Sequence, residues 1–118
     1  MNIDGEGVRA EQQAVEYLLK EGYAVRDRNV EYPRRGEIDI VAEKGGAIIF
    51  VEVKSRGTDD FGDAVEAVDN AKRLKLLRAA EMYLNEHGLD DVEVRFDIIA
   101  VRNDVAEHIP NAFYGYWN

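Results

Sequence analysis

The stretch Gly36-Glu-Ile-Asp-Ile-Val-Ala-Glu-Lys-Gly-Gly-Ala-Ile-Ile-Phe-Val-Glu-Val-Lys-Ser-Arg56 decides the fold. Two apolar runs flank Lys44-Gly45-Gly46, a sequence typical of a turn, so the stretch predicts a β-hairpin. Two polar pairs interrupt the runs, Glu37 with Asp39 and Glu52 with Lys54. Because strand side chains alternate between faces, each pair lies on one face of its strand. If the strands pair around the glycines, three carboxylates and one amine converge in an apolar surround.

A cluster of this kind is unfavourable unless its charges are paired or bind a metal, because removing a charge from water is costly. Carboxylate oxygens are the hard ligands that Mg²⁺ or Mn²⁺ prefers. The alternative is a solvated strand face with a surface ion pair, which contributes little to stability. The run Ala47-Ile-Ile-Phe-Val51 favours a site, because continuous apolar character predicts a strand that is buried on both faces.

The length and composition predict one domain, residues 1–118, with a core of its own. The chain has no cysteine and two histidines, which argues against a disulfide framework and against zinc chemistry. No apolar run approaches membrane-spanning length, and the acidic N-terminus lacks the apolar core of a signal peptide. We therefore expect a cytoplasmic protein that does not bind a membrane.

The formal net charge of −9 is unfavourable for a nucleic-acid partner, because phosphate binding relies on lysine and arginine. The positive charges are nevertheless clustered. The segment Lys72–Arg78 holds four of them and no acid, and four arginines precede the hairpin, Arg26, Arg28, Arg34 and Arg35. These positions predict a local basic rim, with a solubilising role for the arginines as the alternative.

Apolar periodicity predicts the order helix, three strands, helix, strand. The predicted elements are a helix over 7–21, a strand over 23–32, the hairpin, a helix over 70–87 and a strand over 92–101, with a short last strand near 105–109. Asp69 suits the N-cap of the second helix, and Gly88 suits its C-terminal end. This order fits a mixed sheet flanked by helices.

Two charged residues lie on the apolar stripes of these helices. Glu11 shares a stripe with Ala14 and Leu18, and it either reaches water beside the stripe or points inward. Lys72 precedes Leu76 by one turn, and it either points inward or extends its ammonium group to water. A third feature is the aromatic C-terminal tail, residues 113–118, which predicts packing against a second copy of the chain.

These residues, in this order, are similar to the PD-(D/E)xK nuclease superfamily. Within it the chain closely resembles the YraN family, small prokaryotic proteins related to archaeal Holliday-junction resolvases. The match covers nearly the whole chain. The motifs that carry it include Glu11-x-x-Ala14-x-x-Tyr17-Leu18, Gly36-Glu-Ile-Asp39, Phe50-Val-Glu-Val-Lys54-x-Arg56, Val68-x-x-x-Lys72, Arg95-Phe-Asp97 and His108-x-x-x-Ala112-Phe113.

The resemblance implies an α/β fold with a restriction-endonuclease-like αβββαβ core. It also implies that Asp39 and Glu52, with the backbone carbonyl of Val53, ligate Mg²⁺ or Mn²⁺. Lys54 would then orient or activate the attacking water. Glu11 would assist the metal or its water shell. We further expect nucleic-acid contacts from Lys72, Arg56 and Arg73. In one departure from the superfamily, Ile38 replaces the proline of its name.

Three functions fit these observations. The first is a metal-dependent endonuclease that acts on branched or otherwise structured DNA. The second is a non-catalytic module that retains the nuclease fold to bind DNA or a DNA-repair partner, and the acidic composition favours it. The third is an acidic dimerisation domain in which the carboxylates are simply paired with Lys54 and Lys72. The presence of Glu11, Asp39, Glu52 and Lys54 together favours the first function.

Overall fold

A computed structural model of the chain describes residues 5–55 and 69–112. The elements are α1 (Gly5–Lys20), β1 (Ala24–Tyr32), β2 (Gly36–Lys44), β3 (Ala47–Ser55), α2 (Asn70–Glu86), β4 (Glu93–Arg102) and β5 (Val105–Ile109). The predicted αβββαβ order is therefore confirmed, and the short last strand is present as β5. Among the described residues, no helix is long and apolar enough to cross a membrane.

The five strands form one mixed sheet in the order β1-β2-β3-β4-β5. Three neighbouring pairs are antiparallel, and only β3 and β4 run parallel. A parallel pair needs a long crossover connection, and α2 lies in that connection. The central strands β3 and β4 carry the continuous apolar runs, as expected of strands that are covered on both faces.

Alternate residues of β3 belong to two hydrophobic cores, one on each face of the sheet. On one face Leu18 of α1 packs in a core with Ile49 and Val51. On the other face Tyr83 of α2 meets Phe50 edge to face, with ring centroids 5.9 Å apart. The sheet thus lies between the two helices. The polar residues that follow Val51 on β3 continue the same alternation between the two faces.

The second helix begins as predicted. The side chain of Asp69 accepts a hydrogen bond from the Lys72 amide at 3.0 Å, which satisfies one of the free N–H groups of the first turn. Apolar periodicity predicts a buried stripe of Leu76, Ala80, Tyr83 and Leu84 on this helix; the first three are buried, and Leu84 is only partly buried. The N-cap therefore fixes the residue at which α2 begins.

The predicted hairpin forms, but its two strands do not pair along their full length. Pairing of β2 with β3 begins at Lys44 and Ala47 and extends to Ile40 and Val51. Beyond this point β2 remains paired with β1 alone, as far as Gly36. The two strands of the hairpin therefore separate at the residues that carry the predicted site.

Candidate active site

Asp39 lies at the point where β2 separates from β3. Its Oδ2 accepts a hydrogen bond from the Val53 amide at 2.8 Å, so a side-chain carboxylate replaces the backbone carbonyl that a continuing ladder would supply. The side chain is half-buried. One carboxylate of the predicted site is thus held between two strands by the irregularity of the sheet itself.

Glu52 and Lys54 follow on the same face of β3. The Lys54 Nζ lies 3.3 Å from Glu52 Oε2. The two side chains are only 15% and 18% exposed respectively, so the pair is not the solvated surface ion pair that the sequence left open. Glu37 is exposed on β2 and lines the same cleft as Asp39 and Glu52.

The site is electrostatically strained. Burial and, to a lesser extent, the nearby charges of Glu52, Glu11 and Glu37 together raise the pKa of the Asp39 carboxyl to about 7, although the Val53 amide opposes this rise. Burial lowers the pKa of the Lys54 amine, and a contact with Lys72 lowers it further, although Glu52 opposes the shift. A bound cation would relieve the repulsion between the carboxylates.

The Asp39 carboxylate is reached from both faces of the sheet. A cleft of about 600 Å³ lies on the α2 side. Its described lining residues are Glu31, Tyr32, Pro33, Arg34, Arg35, Gly36, Glu37, Asp39, Glu52, Val53, Lys72, Lys75 and Leu76. A smaller cavity of about 260 Å³ lies on the α1 side, where Asp39 and Val53 also line the wall. Asp39 and Glu52 both line the larger cleft.

Glu11 points inward, which resolves the alternative that the sequence left open. Its side chain is 12% exposed and lines the smaller cavity with Asp39. Its Oε1 accepts hydrogen bonds from Asn29 at 3.0 Å and from Arg28 at 3.4 Å. Asn29 adopts a positive φ of 52° in the middle of β1, a conformation that asparagine tolerates better than most residues. Glu11 thus bonds to β1, and it faces Asp39 across the cavity.

The three residues that we predicted to contact nucleic acid do not all lie at the large cleft. Lys72 is largely exposed at the first turn of α2, lines the large cleft and contacts Lys54. Arg73 is half-buried and is not among the described residues that line this cleft. Arg56 and the aromatic tail, residues 113–118, lie outside the described residues. The roles of these residues stay predictions.

A second buried polar cluster surrounds Asp97, to which the sequence assigned no role. Asp97 is fully buried in β4 and accepts two bonds from Arg95, at 2.9 and 2.7 Å, and one from the Asn111 amide at 3.0 Å. His108 Nε2 lies 2.6 Å from Asp97, and His108 Nδ1 lies 3.1 Å from the Tyr17 hydroxyl. The one sequence signal was a carboxylate within the apolar run of β4. The cluster ties β5 and α1 to β4.

The donor set at the cleft suits a hard divalent cation. Asp39 and Glu52 supply two carboxylates at the edge of an open cleft, and hard cations complete their shells with backbone carbonyls and water. Within residues 5–55 and 69–112, no group of three or more histidine, aspartate or glutamate side chains forms a ready metal cage. Two carboxylates alone would hold such a cation only with water or other oxygen ligands in the remaining coordination positions.

Comparison with solved structures finds a distant likeness. The structure described as "Crystal structure of SSO0001" aligns with a TM-score of 0.42 and 15% identity. The alignment covers 88% of this chain and 49% of that one, so this chain spans about half of its length.

Comparison with known sequences finds much closer relatives. A UPF0102 protein of Persephonella marina is 43% identical over 107 residues, which are 91% of each chain. One from Fusobacterium nucleatum is 41% identical over 115 residues, 98% of this chain and 96% of its own. One from Syntrophotalea carbinolica is 48% identical over 107 residues, covering 87% and 86%. The model of the "Uncharacterised protein family UPF0102" matches residues 10–101. The chain therefore belongs to the UPF0102 family, which is the YraN family that its motifs resemble.

Proposed function

We propose that this protein is a metal-dependent endonuclease that hydrolyses phosphodiester bonds in branched or structured DNA in the cytoplasm. The observation that carries the proposal is the grouping of Asp39, Glu52 and Lys54 where β2 separates from β3. Two partly buried carboxylates line an open cleft there, and the Lys54 amine pairs with one of them, Glu52. A purely structural ion pair would not require the neighbouring, repelled carboxyl of Asp39.

Each residue has a role in this proposal. Mg²⁺ or Mn²⁺, held by Asp39, Glu52 and the Val53 carbonyl, would supply positive charge against the phosphate as negative charge develops on it. The Lys54 ammonium, fixed by Glu52, would orient the attacking water, a task that suits a compact point charge. Glu11 would support the water shell from the smaller cavity.

The second candidate is a non-catalytic module that uses the same cleft to bind DNA or a DNA-repair partner. The net charge of −9 favours this candidate, because an acidic protein attracts a polyanion weakly. The two candidates share the cleft and differ only in whether a bond is broken.

The decisive experiment measures cleavage of branched, flapped and linear DNA at low salt with Mg²⁺ or Mn²⁺. We expect Lys54→Ala to keep DNA binding and to lose about 10²- to 10⁴-fold in rate, because it removes a group that acts on the nucleophile. Lys20→Ala is the matched control, since Lys20 is exposed in the last turn of α1. If wild type binds branched DNA but cuts none of the substrates, the non-catalytic module is the better description.

A calorimetric titration tests the metal site separately. We expect Mn²⁺ to bind wild type, and Asp39→Asn to lose most of the binding heat, because it removes one of two charged ligands. Glu107→Gln, an exposed neutralisation on β5, serves as the control for overall charge. Equal Mn²⁺ binding by wild type and Asp39→Asn would rule out the proposed metal site.

A further inference from the structure

The turn between β1 and β2 has an unusual residue at a glycine position. The Arg35 amide donates a hydrogen bond to the Tyr32 carbonyl at 2.9 Å, Pro33 follows Tyr32, and Arg34 has a φ of 67°. These are the features of a type II turn, whose third residue is usually glycine because a Cβ disfavours positive φ. Glycine in place of Arg34 would relieve the strain of the positive φ. The presence of a large side chain at a strained position suggests a function for that side chain.

The turn forms one wall of the large cleft, and α2 forms the other. Arg34 and Arg35 line the first wall, and Lys72 and Lys75 line the second. The walls meet at Gly36, where an added Cβ would lie 2.4 Å from the Lys75 carbonyl oxygen. The spacing of the two basic walls is therefore set by direct backbone contact.

The basic side chains of this cleft are available to a ligand. Arg34, Arg35 and Lys75 are exposed, and in the part of the chain that the structure describes their side chains form no salt bridge and no hydrogen bond. The floor between them carries Asp39 and Glu52. Within residues 5–55 and 69–112, a chain with a net charge of −9 thus places a rim of unpaired cations around an acidic floor.

We infer that Arg34 and Arg35, facing Lys72 and Lys75, form a clamp that binds the sugar–phosphate backbone of a nucleic-acid strand leading to Asp39 and Glu52. The inference rests on the proposed function, since it assigns the substrate backbone to the same cleft. Arginine binds phosphate through paired N–H donors, and a rigid turn limits the freedom lost on binding. Because the clamp contacts phosphates alone, its affinity is independent of sequence and falls steeply with salt.

The test is fluorescence anisotropy of labelled single-stranded and junction oligonucleotides, in DNA and in RNA, over a salt series with Mg²⁺ and with EDTA. We expect Arg34→Gly to weaken binding and to lower the salt slope by about one phosphate contact. We also expect its melting temperature to equal or exceed that of wild type, because glycine relieves the positive φ. A structural role for Arg34 would instead lower the melting temperature.

Lys75→Ala tests the opposite wall, and Arg78→Ala is its matched control. Arg78 is exposed on α2 one turn later and is not among the described lining residues. We expect Lys75→Ala to lower the salt slope and Arg78→Ala to leave it unchanged. For each oligonucleotide we compare the salt slope of binding by wild type and by Arg34→Gly. The oligonucleotide with the largest difference identifies the kind of nucleic acid that the clamp binds.

The outcomes separate the clamp from the proposed function. If wild type cleaves DNA but Arg34→Gly binds with an unchanged salt slope, the clamp is wrong and the nuclease proposal stands. If Arg34→Gly and Lys75→Ala lose binding, and neither wild type nor any variant cuts DNA, the clamp stands and the nuclease proposal is wrong. Wild type that binds none of the oligonucleotides overturns the clamp.

Discussion

Two carboxylates of the sheet, Asp39 and Asp97, illustrate how the surroundings of a residue decide its role. Burial would raise the pKa of Asp97, but hydrogen bonds from His108, Arg95 and the Asn111 amide outweigh it and hold the pKa below the ordinary value. Asp39 accepts one backbone amide and faces other carboxylates, so its pKa is raised. Asp97 is therefore satisfied by several hydrogen bonds, whereas among the described residues Asp39 accepts one, from the Val53 amide.

The raised pKa of Asp39 predicts a pH dependence of stability. Its pKa rises from 3.8 to about 7 in the folded protein, so the proton is bound more tightly when the chain is folded. Binding of this proton stabilises the folded protein. This stabilisation is complete below about pH 4 and is lost as the pH rises through about 7. In EDTA, we expect the free energy of unfolding of Asp39→Asn, relative to wild type, to rise by on the order of 4 kcal/mol over this range.

Urea unfolding at several pH values checks this prediction. Glu107→Gln removes the same charge from an exposed position and serves as the control for a general charge effect. A difference between Asp39→Asn and wild type that stays constant with pH would contradict it.

At the scale of elements, the close contact between β2 and α2 sets the shape of the cleft. Gly36 has a φ of 152° and lies against the Lys75 carbonyl, a position with no room for a side chain. The Gly-Glu-Ile-Asp motif thus begins with a residue that lets the helix approach the sheet. It continues to Asp39, where β2 has already left β3.

We expect Gly36→Ala to lower the free energy of unfolding by about 2–4 kcal/mol, because backbone strain and overlap with the Lys75 carbonyl add together. Gly45→Ala is the matched control: its φ is also positive, at 61°, but nothing lies within 4 Å of the added Cβ. That variant should lose only about 1 kcal/mol. Chemical denaturation of both variants provides the comparison, and equal losses would show that the contact contributes nothing.

At the scale of the molecule, the acidic composition and the basic rim act in opposite directions. The net charge of −9 repels polyanions at long range, whereas the four cations of the cleft attract phosphate at short range. If the cleft binds a polyanion, the short-range phosphate contacts should weaken as ionic strength rises, so low salt is the condition in which to look for binding.

The aromatic tail predicts self-association. Phe113, Tyr114, Tyr116 and Trp117 lie outside the described residues and supply aromatic area of the kind that forms interface cores. We expect the full chain to sediment as a dimer at roughly tens of micromolar, and deletion of residues 113–118 to yield a monomer. The control compares the melting temperatures of the full-length chain and the deletion variant, both diluted until they are monomeric. Equal values would show that the deletion leaves the fold intact. A full-length chain that is monomeric at this concentration would contradict the prediction.

Local patterns in the sequence were sufficient for the elements. The glycine pair predicted the hairpin, apolar continuity predicted the buried strands, and Asp69 predicted the start of α2, all of which the structure confirms. Alternation along β3 also placed Glu52 and Lys54 on one face. These features depend on neighbours that are a few residues apart, so short-range periodicity determines them.

Other features were decided by the tertiary structure alone. The place where β2 leaves β3 determines that Asp39 bonds to the Val53 amide, and the packing of α1 against β1 determines that Glu11 bonds to Asn29. The position of Arg34 opposite Lys75 likewise depends on the approach of α2 to Gly36. The sequence by itself determined which chemical groups are present and how they alternate. Only long-range packing decided which groups meet, because each contact joins residues whose separation in the chain carries no periodic signal.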